Sequence, residues 1–150
     1  MNQPSIARQT LTTPAAVIGK IPPAVVQLAL RGGLAGIFWS SARTKVEGLL
    51  TLSDNTYYLF EEDYRLPLID PEFAAHLATY AEHLLPVMLV LGIGTRFAAL
   101  GLFVMTLVIQ LFVYPDAFLS THLGWFALAL AVMAYGPGTI SLDNALTRKS

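Results

Sequence analysis

At 150 residues the chain has room for one domain, and its 55% hydrophobic and 13% charged residues give it more apolar surface than a water-soluble fold of that size can hide. A net charge of −1 offers no basic face to nucleic acid, and the absence of cysteine excludes a disulfide relay, a thiolate metal site and a CxxC redox centre. The expected home is a lipid bilayer.

Residues 1–21 read as a cytoplasmic tail, carrying Pro4, Pro14 and polar residues rather than the apolar core of a cleaved signal. Pro22-Pro23 opens the first apolar run, Ala24 to Ala42, which contains Arg31 and a Gly32/Gly36 pair at helix-contact spacing. The segment from Arg43 to Glu72 is too long for a simple connector. Its Tyr57, Tyr58, Phe60 and Tyr64 predict a structured outer loop, either a cap on the bundle at the membrane surface or a satellite hydrophobic cluster. A second run, Phe73 to Ile93, contains Glu82 and His83 and ends at a tight Gly92-Ile93-Gly94-Thr95 turn. Arg96 to Tyr114 forms the third run, with Ala98 and Gly101 at contact spacing. His122 to Gly136 forms the fourth, after an outer turn begun by Tyr114-Pro115-Asp116-Ala117. Pro137-Gly138 ends that run, and Ser141-Leu142-Asp143 has the form of a cap for a short terminal helix.

About 20 residues cross the hydrocarbon core as a helix. The expected fold is therefore all-α: an antiparallel four-helix transmembrane bundle over residues 22–143, with a long structured first outer loop and a cytoplasmic tail at 144–150. A β-barrel is excluded, because the runs are continuously apolar rather than alternating. With the N-terminus inside, Arg8, Lys20, Arg96, Arg148 and Lys149 fall on the cytoplasmic side, against Arg43, Lys45 and Arg65 outside. Both termini are thus expected in the cytoplasm, and Arg96 is placed among the inner headgroups.

Arg31 and Glu82 are the charges a bilayer tolerates least. Each costs roughly 2.5–3.5 kcal/mol at membrane depth and persists when paired or lining a polar path. Counted from opposite faces, they lie about 10 Å and about 13 Å deep, near enough in height to form a pair. Two readings of that pair stand side by side: a buried bridge fixing helix register, or a proton-handling Glu82 oriented by Arg31. His83, Gln110 and Tyr114 are candidate hydrogen-bond partners for a ligand held there, and Lys45 and Arg96 candidate cations for its head. Haem is disfavoured, since His83 lies near mid-membrane while His76 and His122 lie near the outer surface. No spacing makes a metal site of His76, His122 and Asp116, and Met88, Met105 and Met133 are too scattered for copper.

Arg31 with its glycines, Lys45 after the first span, Glu82, then Leu91-Gly92 and Thr95-Arg96-Phe97-Ala98-Ala99 together resemble the DoxX family of small four-helix integral membrane proteins. The resemblance runs over roughly residues 25–143, with Ser40-Ser41-Ala42-Arg43-Thr44 standing where the family carries a glycine ahead of the lysine. Arg43-Thr44-Lys45-Val46, Tyr64-Arg65-Leu66-Pro67-Leu68, Phe112-Val113-Tyr114-Pro115-Asp116 and Ser141-Leu142-Asp143 resemble a bacterial subgroup found beside peptide-modifying iron enzymes. That resemblance implies a bacterial inner-membrane location and a part in metal or oxidative stress. It also implies a redox-associated subunit that meets a quinone-like cofactor and works with a protein partner, with homo-oligomers a further option. Against this stand a non-enzymatic scaffold or export partner for the same system and, third, a small transporter, which the lack of repeats and broken helices disfavours.

Overall fold

The computed structural model describes residues 20–148. Arg8 and Lys149, two of the cations used to orient the chain, lie outside the described residues.

Helix α1 (Pro23–Thr44) starts on a proline at its first turn, where a missing N–H costs nothing. It runs directly into a small antiparallel hairpin, β1 (Val46–Glu47) and β2 (Thr51–Leu52), with Val46 opposite Leu52 and Glu47 opposite Thr51. Helix α2 (Asp54–Tyr58) follows and widens into a π-helical turn, Leu59–Tyr64, which Arg65 stops in the left-handed region at φ 42°. Helix α3 (Pro71–Leu91) is capped by Asp70, whose carboxylate accepts the Phe73 N–H at 3.0 Å, and ends on Gly92 at φ 70°. Helix α4 (Thr95–Val108) continues as a π-helical segment to Val113. A 3-10 turn (Pro115–Ala117) and another π-helical turn (Phe118–His122) lead into α5 (Leu123–Tyr135). Helix α6 (Leu142–Thr147) is capped by Ser141, as the sequence predicts, its hydroxyl accepting the Asn144 N–H at 3.2 Å.

The long helices pack as an antiparallel bundle, α1 against α3 and α5, and α4 against α3 and α5. Among the described residues three stretches are long and apolar enough to cross a membrane: Pro71–Leu91, Thr95–Val113 and Pro115–Tyr135. Helix α1 is as long, at 22 residues, but is not among them. Arg31, Gln27, the glycines and the serines dilute its apolar character. The bundle core joins Leu34, Ala35 and Phe38 of α1 to Leu89, Ala98, Ala99, Leu102, Ala129 and Val132. A second core, Leu52, Phe60, Ala74 and Ala75 with Tyr57, Tyr64 and Leu66 around it, seats the loop on the first turns of α3. The Arg43–Glu72 segment is thus a cap with its own apolar centre.

Two contact expectations separate here. A Cβ on Gly101 would stand 2.8 Å from Leu85, so that glycine does permit close approach of α3 and α4. Gly32 and Gly36 have nothing within 4 Å of where a Cβ would stand. They line a shallow apolar groove on the outer seam between α1 and α3, opposite Pro86, Val87 and Val90, while α1 presents Arg31, Leu34, Ala35 and Phe38 to the core.

Helices α1 and α3 are offset along their length. The Arg31 side chain reaches the carbonyls of Leu89 and Val90, Trp39 lies beside His83, and Lys45 folds back past Ser41 to reach Glu82. The first two turns of α3 outrun α1 at the loop end and carry the cap, while α1 outruns α3 at the opposite end, where the described residues begin and end.

A capped cavity at the loop end

Glu82 does not pair with Arg31. Its Oε2 accepts a hydrogen bond from Lys45 Nζ at 2.8 Å, with both side chains more than nine-tenths buried. The expected Arg31–Glu82 pair rested on depth counted separately for each helix, and the offset of α1 against α3 removes it. Lys45 reaches the site because it is the residue on which α1 ends. Its ammonium also donates to Ser41 Oγ at 2.8 Å and, more weakly, to the Ser41 carbonyl at 3.4 Å.

The ion pair stands in the wall of a cavity of about 140 Å³ between the four-helix section and the cap. Ile37, Phe38, Phe60, Leu66, Met105, Val108, Ile109, Val113 and Trp125 make its apolar lining, and Ser41, Tyr64, Tyr114 and His122 join Lys45 and Glu82 as polar members. Tyr64 and Tyr114 meet edge to face with ring centroids 6.0 Å apart. Burial, then the neighbouring Tyr114, Glu82 and Asp63, push the Tyr64 phenol well above its ordinary range, so it stays a neutral hydroxyl.

Of the candidate ligand-binding residues, Lys45 and Tyr114 line this cavity. Gln110 stands behind it, accepting a hydrogen bond from His122 Nδ1 at 2.7 Å. His83 does not reach it. Its Nδ1–H donates to the Thr79 carbonyl at 2.7 Å, and its ring meets Trp39 edge-on, in a groove shared with Arg43 and Tyr80. Consecutive helical residues diverge by about 100°, so Glu82 and His83 face different spaces. Arg96 is at the other end of the bundle, its guanidinium beside Gly136. The sequence reading missed Ser41, Tyr64 and His122. The signal for His122 was Gln110 across the Tyr114-Pro115 turn, a polar pair brought together by the two π-helical segments.

Arg31, 1% exposed, is the hub of the end opposite the cap. Nε donates to the Leu89 carbonyl at 2.7 Å, which also takes the capping Gly92 N–H at 3.2 Å, and Nη2 donates to the Val90 carbonyl at 2.8 Å, in the last turn of α3 where carbonyls have acceptor capacity to spare. Nη1 donates to the carbonyls of Pro137 and Ile140. A cation at a helix C-terminus also complements the helix dipole. Asp143 makes the matching contact on α4, accepting the N–H groups of Gly94 and Thr95 and the Thr95 hydroxyl at 2.8–2.9 Å. Burial alone would raise this carboxyl; those three donors, helped by Arg31, hold it below its ordinary value.

Among the described residues no group of three or more His, Cys, Asp or Glu side chains is placed to hold a metal ion. Comparison with curated proteins and with solved structures yields no match. Comparison with protein families matches residues 26–115 to DoxX, a stretch running from the first turn of α1 through Lys45, the cap, Glu82 and α4 to Pro115. This chain is a multi-pass membrane protein that belongs to the DoxX family.

Proposed function

We propose that the protein is a redox-associated membrane subunit whose capped cavity receives the ring of a quinone-like cofactor. One observation carries this reading: the buried Lys45–Glu82 pair borders a cavity instead of being packed on all sides. A purely structural bridge gains nothing from an adjoining void, which forfeits packing contacts. The lining suits a flat ring, with Phe38, Phe60 and Trp125 as walls and hydrogen-bonding groups from Lys45, Glu82, Tyr64, Tyr114 and His122. A bound quinone supplies two-electron chemistry linked to two protons. Glu82 holds or yields a proton at the ring oxygen, Lys45 keeps its charge balanced, and the cap excludes bulk water. The role expected of Arg31 as charge partner passes to Lys45, and Arg31 acts by fixing the far ends of α3 and α5.

The electron donor in this reading is a protein partner in a bacterial inner-membrane complex serving a peptide-modification system, with both termini cytoplasmic. The scaffold alternative draws support from the cap, where Glu47, Asp54, Glu61, Glu62, Asp63, Asp70, Glu72 and Asp116 all stand exposed and would attract a basic partner.

Trp125 lines the cavity, which makes its fluorescence the assay. A short-chain quinone titrated into the detergent-solubilised protein is expected to quench Trp125 saturably in a Trp39→Phe background, with Glu82→Gln weakening the binding roughly ten-fold or more. Quenching that never saturates, or is indifferent to Glu82→Gln, would remove the cavity from the function.

A further inference from the structure

The hydrogen bonds behind His122 fix which atoms the cavity presents. Gln110 Nε2 donates to the Pro115 carbonyl at 2.6 Å, and this sets the amide, since the flipped form would oppose two oxygens. Its Oε1 is then the atom 2.7 Å from His122 Nδ1, and an amide oxygen only accepts. Nδ1 must therefore carry the ring proton. In the neutral imidazole Nε2 is left with a lone pair, and it makes no hydrogen bond among the described residues.

The opposite polar group tells the same story. Lys45 spends its three N–H bonds on Glu82 Oε2, Ser41 Oγ and the Ser41 carbonyl. The Ser41 hydroxyl also stands beside the Glu82 carboxylate, which with about four lone-pair sites still has acceptor capacity to spare, and a carboxylate oxygen only accepts. The tyrosine hydroxyls serve either as donors or as acceptors and do not discriminate. The fixed polar atoms facing the cavity are thus acceptors.

Resting on the quinone-like reading above, the geometry points to a cavity that binds the reduced, dihydroxyaryl form of such a ring in preference to the carbonyl form, with its hydroxyls donating to His122 Nε2 and to the Glu82 carboxylate. A carbonyl ring in the same place sets oxygen against lone pair at both positions, whereas the hydroxyl form fills two vacant acceptors. Buried acceptors left unmet are costly enough to separate the two forms by roughly ten-fold or more in affinity.

The test is anaerobic isothermal titration calorimetry of the purified full chain in detergent with tetramethyl-para-hydroquinone and, separately, tetramethyl-para-benzoquinone. The ring methyls keep the quinone from adding to lysine. Tighter binding of the hydroquinone by roughly ten-fold supports the inference. His122→Phe is expected to lower hydroquinone affinity by about that factor and leave the benzoquinone nearly unchanged. Gln110→Glu keeps the ring hydrogen-bonded but favours the imidazolium, turning Nε2 into a donor, and is expected to shift preference toward the benzoquinone. Equal or tighter binding of benzoquinone by the native chain overturns this inference and leaves the cofactor reading standing. Binding of neither compound overturns both.

Discussion

Replacing Lys45 by Met and Glu82 by Leu, singly and together, isolates what the buried pair contributes. Removing one member of a buried ion pair typically costs about 3–5 kcal/mol, because the other charge is left unmet, while replacing both by apolar residues is close to neutral. The two single changes are not expected to be equal. With Glu82 gone, the Lys45 ammonium keeps both Ser41 acceptors, so that loss sits at the lower end, about 3 kcal/mol. With Lys45 gone, the carboxylate loses its only cation among the described residues and keeps at most the Ser41 hydroxyl, and the loss approaches about 5 kcal/mol. For a chain of 150 residues this corresponds to a fall in midpoint of about 6–20 °C for either single variant. The double variant is expected to recover most of it. Unfolding in detergent, followed by near-ultraviolet circular dichroism, measures the cycle. A parallel cycle of Arg31→Met with Glu82→Leu is expected to be additive within about 0.5 kcal/mol, since the two side chains share no partner. Additivity in the Lys45 cycle, or coupling in the Arg31 cycle, would refute the pairing described above.

At the end opposite the cap, Asp143→Ala removes the acceptor for two backbone donors and one hydroxyl, and a loss of about 1–2 kcal/mol of stability is expected by the same unfolding measurement. Because folding depresses the Asp143 carboxyl, its stabilisation is present above the unfolded value near 3.8 and disappears as pH falls through the lower folded value. Stability profiles between pH 6 and about 3 should therefore fall less steeply on the acid side in Asp143→Asn than in the native chain. Arg31→Lys keeps the charge but cannot bridge the carbonyls of Leu89 and Val90 to those of Pro137 and Ile140. Faster proteolysis within 137–148, with the bundle intact, is the expected signature; unchanged cleavage would deny Arg31 its role as clasp.

How far the sequence could be read is clearest at three places. Helix α3 was legible because its continuous apolar run lies between a capping Asp70-Pro71 and a Gly92 that supplies the left-handed stop. The hairpin was not, because two-residue strands are too short to show alternation, and the Arg43–Glu72 segment revealed only that it must be structured. Glu82 was legible as an intramembrane acid needing a cation, but its partner was not. Pairing by depth assumes that every helix starts at the membrane boundary, and α1 does not share its limits with α3. Arg31, left without the acid, takes backbone carbonyls at the end of α3 and in the Pro137–Ile140 turn, a set of partners that no residue type in the sequence announces. His122 was placed near the outer membrane surface by its position in the chain, and its burial, 2% exposed, was not legible, because it comes from the Phe118–His122 turn folding it inward beneath the cap.

The offset between α1 and α3 makes α1 a strut of fixed working length. Arg31 and Lys45, its two anchorages, are 14 positions apart, a rise of about 21 Å. Ahead of Arg31 the helix keeps one further hold, the Gln27 amide donating to the Tyr135 carbonyl at 3.0 Å, so only a turn added or removed before Gln27 changes how far it projects and little else. Between the anchors there is no slack: a single inserted residue rotates Lys45 by about 100° relative to Arg31 and swings the ammonium off Glu82. The stretch that measures this span also carries the open glycines Gly32, Gly33 and Gly36. Its tolerance is thus for changes of side chain on the outer face and not for changes of count.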